Sequence, residues 1–281
     1  MKIPWKIKSA GFWLADRIGT SPLYFAQKFV TRRAKESIKR PKSSWVFHKE
    51  NILAENSKVL FEFGAGKNLA QNIFLSDVVA QQIVVDLFPM LEIDLVNAAI
   101  RDLTAIGVET RGEVTSIEDI AAIYNISYRA PADAAYSQLP EGSVDAVVST
   151  NTLEHIPRGV ISRIWSEAFR ILRPAGIVSS KIDYADHYAK MDKSISRLNF
   201  LTFSEREWQR YNHSCHFQNR LRHGHHKDLL VQAGFEIVRD FVESPVKTEG
   251  LALRTENLTG DPMDFSTNGY ILARKPLSAS Q

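Results

Sequence analysis

"VLFEFGAGKNLA", residues 59–70, is an apolar run that takes up one acid and then breaks into glycines. Short apolar runs of this kind read as buried strands. A glycine pair directly behind one lets backbone N–H groups come close to a ligand. The stretch therefore predicts a strand that turns into a nucleotide-holding loop. Asn68 stands where a dinucleotide loop would place a third small residue.

Outward from this loop, strand and helix signals alternate. A short helix near Leu69–Leu75 precedes a second strand, "QIVVDL" (82–87). "LEIDLVNAAIRDLTAIG" (91–107) carries apolar residues at Leu91, Leu95, Ala98, Ala99 and Leu103, which is helical spacing. Thr115 and Glu118 are spaced as a capping box opening the helix of "TSIEDIAAIY". "ISYRA" (126–130), "SVDAVVST" (143–150) and "GIVSSKIDY" (176–184) read as the third to fifth strands. The amphipathic helix of "RGVISRIWSEAFRILRPAG" is expected to close at Pro174 and Gly176. A helix, a turn at Gly234, a strand and a last strand in "NGYILARKP" (268–276) complete the pattern. Such alternation predicts an α/β fold, a Rossmann-like, mostly parallel sheet with helices on both faces. Ligands of such sheets sit at the carboxyl ends of the strands. Those ends are Glu62 to Asn68, Asp86, "PADAA", Thr150 to His155, and Asp183 to His187.

Apolar residues make up 44% and charged residues 24% of the 281, the balance of an ordinary globular chain. The single cysteine, Cys215, excludes an internal disulfide and a multi-cysteine zinc site. Neither a spanning apolar run nor a signal-peptide core is apparent, so the reading is cytoplasmic. Residues 1–42 hold eleven Lys/Arg against Asp16 and Glu36, a charge of +9, which leaves 3 − 9 = −6 for the remainder. Trp5, Phe12, Trp13, Leu14, Ile18, Tyr24, Phe25 and Phe29 are interleaved with that charge. The mixture suits either helices packed on a core with a solvated basic face or a peripheral contact with the inner, anionic face of a membrane. No nucleic-acid motif accompanies it, so nucleic acid is not a predicted partner. Pro41 and the "PKSS" that begins with it mark a boundary, giving a basic segment over 1–45 and a main domain over 46–281.

Asp86 lies 22 residues beyond Gly64, where an acid accepts hydrogen bonds from ribose hydroxyls. To that point NAD and S-adenosylmethionine fit equally well. The loop G-A-G-K-N lacks the third glycine of the pyrophosphate fingerprint. Glu62 would repel a pyrophosphate but attract the ammonium of an amino-acid tail. With these residues in place, the chain resembles a class I S-adenosylmethionine-dependent methyltransferase over about residues 58–183. "FEFGAGKN" is similar to that family's acid-x-Gly-x-Gly motif, with Glu62, Gly64, Ala65 and Gly66 in the matching places, and "VVDLFP" to its second motif, with Asp86 and Leu87. The resemblance implies that Asp133 and Ala134 meet the adenine, and that Thr150 and Asn151 of "STNTLEHI" lie nearest the methionine end. Glu154 and His155 then cap and orient the next helix. Asn68 departs from the pattern and implies a wider loop or an amide contact with the cofactor. The implied cofactor is S-adenosyl-L-methionine, leaving as S-adenosyl-L-homocysteine.

The acceptor is expected just after the fifth strand, at "DYADHYAK". A sugar hydroxyl needs a base, and His187 is the first choice, with Asp183 or Asp186 orienting it. Asp183 and Asp186 sharing a divalent metal is a less favoured reading, and no metal is predicted. Residues 184–226 are too long for a plain connection and read as a lid or substrate-binding insertion. Tyr184, Trp208, Tyr211, Asn212, Asn219, Arg220 and Arg222 are expected to wall a polar pocket for a sugar, especially an anionic one. The block resembles methyltransferases of bacterial surface-glycan gene clusters. That implies O-methylation of a sugar hydroxyl in a glycan or lipid-linked glycan. The alternatives are a small-molecule or quinone-type methyltransferase and a non-catalytic cofactor-binding partner protein. The oligomeric state is left open.

Overall fold

The computed structural model describes residues 4–18 and 37–277. One seven-stranded sheet is built from β1 (Val59–Phe63), β2 (Gln81–Val85), β3 (Ile126–Arg129), β4 (Val144–Thr150), β5 (Leu172–Asp183), β6 (Glu236–Pro245) and β7 (Ser266–Arg274), in the order β3-β2-β1-β4-β5-β7-β6. The first five strands run parallel. β7 is antiparallel to both β5 and β6. The chain moves from β1 outward through β2 and β3, then returns to pair β4 on the other side of β1. That reversal makes the carboxyl ends of β1 and β4 the switch point where open α/β sheets bind ligands.

The period of two along each strand builds two cores. Leu60, Val84 and Ile177 pack with α2 (Ser43–Ala54), α3 (Ala70–Leu75), α4 (Ile93–Ala105) and α5 (Ile117–Tyr124) on one face. Phe61, Val85 and Val178 pack with Trp165 of α6 (Arg158–Ile171) and with Leu229 and Leu230 of a later helix on the other. Strands buried on both faces read as continuous apolar runs, which is why β1 and β4 stand out in the sequence. β6 is an edge strand and mostly exposed.

Two boundaries differ from the sequence reading. The N-cap of α5 is Ser116, whose side chain accepts from the Asp119 N–H. Thr115 instead donates both its N–H and its hydroxyl to the Asp119 carboxylate, a slip of one residue. α6 ends at Ile171 rather than at Pro174 and Gly176, because Leu172 is already extended (ψ 136°) and Pro174 lies within β5.

Between β5 and the helix α9 (His223–Gln232) lie two short helices, α7 (His187–Met191) and α8 (Glu205–Trp208). With α1 (Trp5–Ile18) they form a third cluster around Trp5, Phe12, Tyr188, Phe200, Leu201 and Trp208. Trp5 is 6% exposed, and Asp16 accepts from Ser214 and Cys215, so one face of α1 is docked on the insertion. Ile7, Trp13 and Leu14 stay exposed. Tyr24, Phe25 and Phe29 lie outside the described residues. The boundary expected after residue 45 falls inside α2. No helix among the described residues is long and apolar enough to cross a membrane.

Candidate active site at the switch point

The loop after β1 carries Gly64 at φ +77° and Gly66 at φ +76°, left-handed values that favour glycine. A Cβ on Gly64 would stand 2.3 Å from Thr152 Cγ2, whereas one on Gly66 would meet open space. Thr152 donates its hydroxyl to the Gly64 carbonyl at 3.2 Å and so closes β1 against β4. Beside this contact is a cavity of about 590 Å³. Gly64, Gly66, Asp86 and Leu87 form one wall, Asp133 and Ala134 a second, and Asn151, Thr152 and His155 a third.

Asp86 is 5% exposed and its Oδ2 has no hydrogen-bond partner in the protein. Burial pushes its carboxyl up to about 6, against hydrogen bonds from the Tyr128 hydroxyl and the Gly66 N–H. A buried acceptor without a donor calls for one from a ligand. Leu87, Phe88 and Met90, exposed at the rim, offer an apolar cover for a ring. The residues present thus fit an adenosine, with Asp86 accepting from ribose hydroxyls.

Four residues expected at the cofactor do not line this cavity. The Glu62 carboxylate takes the Gln71 amide at 2.8 Å and the Asn72 amide at 2.7 Å, so α3 consumes the charge assigned to the amino-acid tail. Burial pushes Glu62 up to about 7. Thr150 donates to Gln71 at 2.8 Å and bonds His48, which in turn bonds Ser179 of β5. These side chains form a buried polar belt across the sheet centre. Ala65 packs against the apolar core. Asn68 Oδ1 accepts from the Ala70 N–H at 3.2 Å, just ahead of α3, so its side chain is held by the local turn. It borders a separate cavity with Asp94 and Arg101.

Asn151 is the hinge of the site. Its φ is +53°, its N–H donates to the Lys181 carbonyl at 2.9 Å, and its Oδ1 accepts from the Lys181 ammonium at 2.6 Å. It borders the first cavity and also a second, of about 530 Å³, lined by Arg40, Lys42, Lys181, Glu243, Asn268 and Tyr270. Asn268 in turn borders a smaller cavity of about 170 Å³ with Asp183, Lys190, Lys193 and Arg197. Burial lowers the Lys181 pKa. Sequence reading missed this cationic groove. Its one signal was a lysine inside the otherwise uncharged run "GIVSSKI".

His187 opens α7 and is buried, with Nε2 unpartnered and 3.9 Å from Asp183 Oδ2. Burial, then the Lys190 ammonium, pushes its imidazole down to about 3, so it is neutral and a poor proton acceptor on its own. Burial acts to raise Asp183, but Lys190 at 2.6 Å holds the carboxyl below its ordinary value. Asp186 makes no hydrogen bond to the His187 ring, and it borders the smallest of these cavities together with Asp183. It is fully buried, caps α7 through the Tyr188 N–H, and accepts from Asn199.

The residues expected to wall the acceptor pocket mostly hold the insertion together. Arg222 is fully buried and donates to the carbonyls of Asp264, Tyr184 and Ser266. Arg220 donates to Phe200, Phe203 and Glu205. Tyr184 is 2% exposed and bonds His223, and Trp208 packs against Tyr188, Phe200 and Phe203. Tyr211 packs on Trp5 and accepts from the Tyr188 hydroxyl, while Asn212 accepts from the Gln218 N–H. Asn219 donates its amide to the Leu153 and Ile156 carbonyls and so fixes the "LEH" turn from below. Trp208, Asn212, Asn219 and Arg220 do share a cavity of about 290 Å³, away from Asn151.

The sheet order and this pocket define a nucleoside-binding α/β protein of the Rossmann-like class I type. Residues 62–180 match the family model of a methyltransferase domain. Over that stretch the chain carries a methyltransferase domain, and the methyl donor is S-adenosyl-L-methionine. No curated protein matches the sequence. Among solved structures, an S-adenosylmethionine-dependent methyltransferase from Methanosarcina mazei is similar at 18% identity over 82% of this chain and 97% of that one, with a TM-score of 0.47. One from Listeria monocytogenes, described as an S-adenosylmethionine-dependent methyltransferase, shares 14% identity over 83% and 98%, at 0.48. The geranyl diphosphate C-methyltransferase of Streptomyces coelicolor A3(2), solved with Mg2+, geranyl diphosphate and S-adenosyl-L-homocysteine, shares 12% over 81% and 76%, at 0.47.

Proposed function

We propose that the protein transfers the cofactor's methyl group to a hydroxyl of an anionic sugar, carried on a glycan or lipid-linked glycan. The observation that carries this reading is Asn151, which borders both the nucleoside cavity and the groove of Arg40, Lys42 and Lys181. A sugar bearing phosphate or carboxylate would meet those cations, with Asn268 and Tyr270 offering hydrogen bonds to its hydroxyls. A quinone would leave the cations of that groove without a counter-charge.

Methyl transfer is an in-line displacement. The acceptor oxygen forms its bond to the methyl carbon as the carbon–sulfur bond breaks, and the hydroxyl proton passes to water. The cofactor brings its own leaving group, so the chain supplies alignment and a path for that proton. In this reading Asn151 and Lys181 position the acceptor.

Residues 1–42 are proposed to lie on an anionic membrane surface. Ile7, Trp13 and Leu14 are exposed on α1 while Trp5 and Phe12 dock on the insertion. Both parts are testable. Label from methyl-labelled cofactor should enter acidic glycan fractions of cell envelope, and label confined to quinone or other apolar fractions would refute the acceptor. Flotation with anionic vesicles should fall when residues 1–18 are removed, and unchanged flotation would refute the membrane contact.

A further inference from the structure

Glu154, His155 and His187 each turn one ligand atom into a common space, all within 4.8 Å of one another. They come from two segments, the turn after β4 and the start of α7. Two of them are short of a partner there. Glu154 is 3% exposed with Oε2 unpaired, and His187 is 8% exposed with Nε2 unpaired. The His155 Nδ1 lies 3.0 Å from the Phe217 carbonyl. A carbonyl only accepts, so Nδ1 carries the hydrogen and Nε2 keeps its lone pair. Beside His187, at a ring separation of 6.0 Å, His216 has a further buried, unpaired Nε2. Orphan buried polar atoms are rare in folded proteins, and two that converge with the free Nε2 of an accessible imidazole ask for a shared electrophile.

From this convergence we propose a divalent transition-metal site formed by Glu154, His155 and His187. Two imidazoles and a carboxylate suit zinc-class ions, whereas magnesium prefers all-oxygen shells. Metal–nitrogen bonds of about 2.0 Å place ligand atoms roughly 3.3 Å apart, so closing the set takes side-chain rotation and no movement of the sheet. The His155–Phe217 bond is the outer contact that such ligands characteristically make. Asp183, Lys181 and Lys190 face Glu154 as well, and the two ammonium groups oppose a cation there.

His155 also borders the nucleoside cavity, so the ion would sit beside the transferred methyl group. There it would raise the acidity of an acceptor hydroxyl. That role rests on the hydroxyl reading of the acceptor, while the metal site does not.

The test is titration of the chelator-stripped full chain with Co2+, followed by visible absorption and calorimetry. One equivalent should bind, and His155→Ala and Glu154→Gln should each weaken it at least tenfold, with circular dichroism confirming the fold. His155 is exposed, so its variant decides the matter if the buried Glu154 change disturbs folding. No absorption band, or a band that His155→Ala leaves unchanged, overturns the site. Either result leaves the acceptor reading untouched, because label transfer into glycan is measured separately.

Discussion

Lys181 and Asn151 hold each other twice, through ammonium to side-chain oxygen at 2.6 Å and through Asn151 N–H to the Lys181 carbonyl at 2.9 Å. The pair ties the end of β4 to β5 at the seam between two cavities, and it holds Asn151 in a left-handed conformation. Energy spent on an uncommon backbone state at a ligand seam is characteristic of functional positions. Lys181→Met keeps the aliphatic stem and removes the charge. Methyl transfer to the acceptor should fall by at least 100-fold while S-adenosyl-L-homocysteine affinity, read by calorimetry, moves less than about threefold. Equal losses in both would make Lys181 a cofactor residue.

The two loop glycines should answer differently to alanine. At Gly64 a Cβ meets Thr152 at 2.3 Å, so Gly64→Ala must push β1 from β4 and should cut cofactor affinity more than tenfold. Gly66→Ala meets open space and adds only the left-handed strain, on the order of 1 kcal/mol, so its loss should be several-fold smaller. Calorimetric titration with S-adenosyl-L-homocysteine checks the ranking, and a reversed order would contradict the loop geometry.

Much of this arrangement was legible in the sequence. The strands announce themselves as apolar runs, and the glycine loop and Asp86 follow from their order. Side-chain partners were not legible. Glu62 reads as a charge free to meet an ammonium, yet two amides from α3 reach back over the strand end and take both of its oxygens. The arginines of the insertion read as anion binders, yet carbonyls hold them. The groove at Asn151 draws on residues 40, 42, 181, 243 and 268, and no local pattern brings such distant positions together.

Glu62 gives the protein a pH signature. Its folded pKa is raised from 4.5 to about 7 by burial, so the native state binds the extra proton between those values. The stability this contributes is complete below about pH 4.5 and is lost as pH rises through 7. Glu62→Gln removes the titration. Urea unfolding of the cofactor-free protein should show wild type losing on the order of 3 kcal/mol relative to the variant across that window. Parallel pH profiles would refute the assignment. Asp86, also raised by burial, feels the Glu62 charge, so part of the difference arises through that pair.

Arg222 is predicted to matter for folding rather than for acceptor binding. Its guanidinium satisfies three carbonyls from two segments and is fully buried. Arg222→Ala should destabilise by about 3 kcal/mol or more, since it orphans those carbonyls and leaves a cavity. Arg222→Lys should recover only part, because an ammonium lacks the planar fork. Thermal and urea unfolding measure both. A variant of unchanged stability with a raised acceptor KM would return Arg222 to the substrate site.

The most direct test of the account is a crystal structure with S-adenosyl-L-homocysteine bound. The ribose should hydrogen-bond Asp86 Oδ2, the adenine should lie along Leu87, Asp133 and Ala134, and the sulfur should face Asn151 and His155. A ligand bound outside this cavity, or with its sulfur turned away from Asn151, would contradict it.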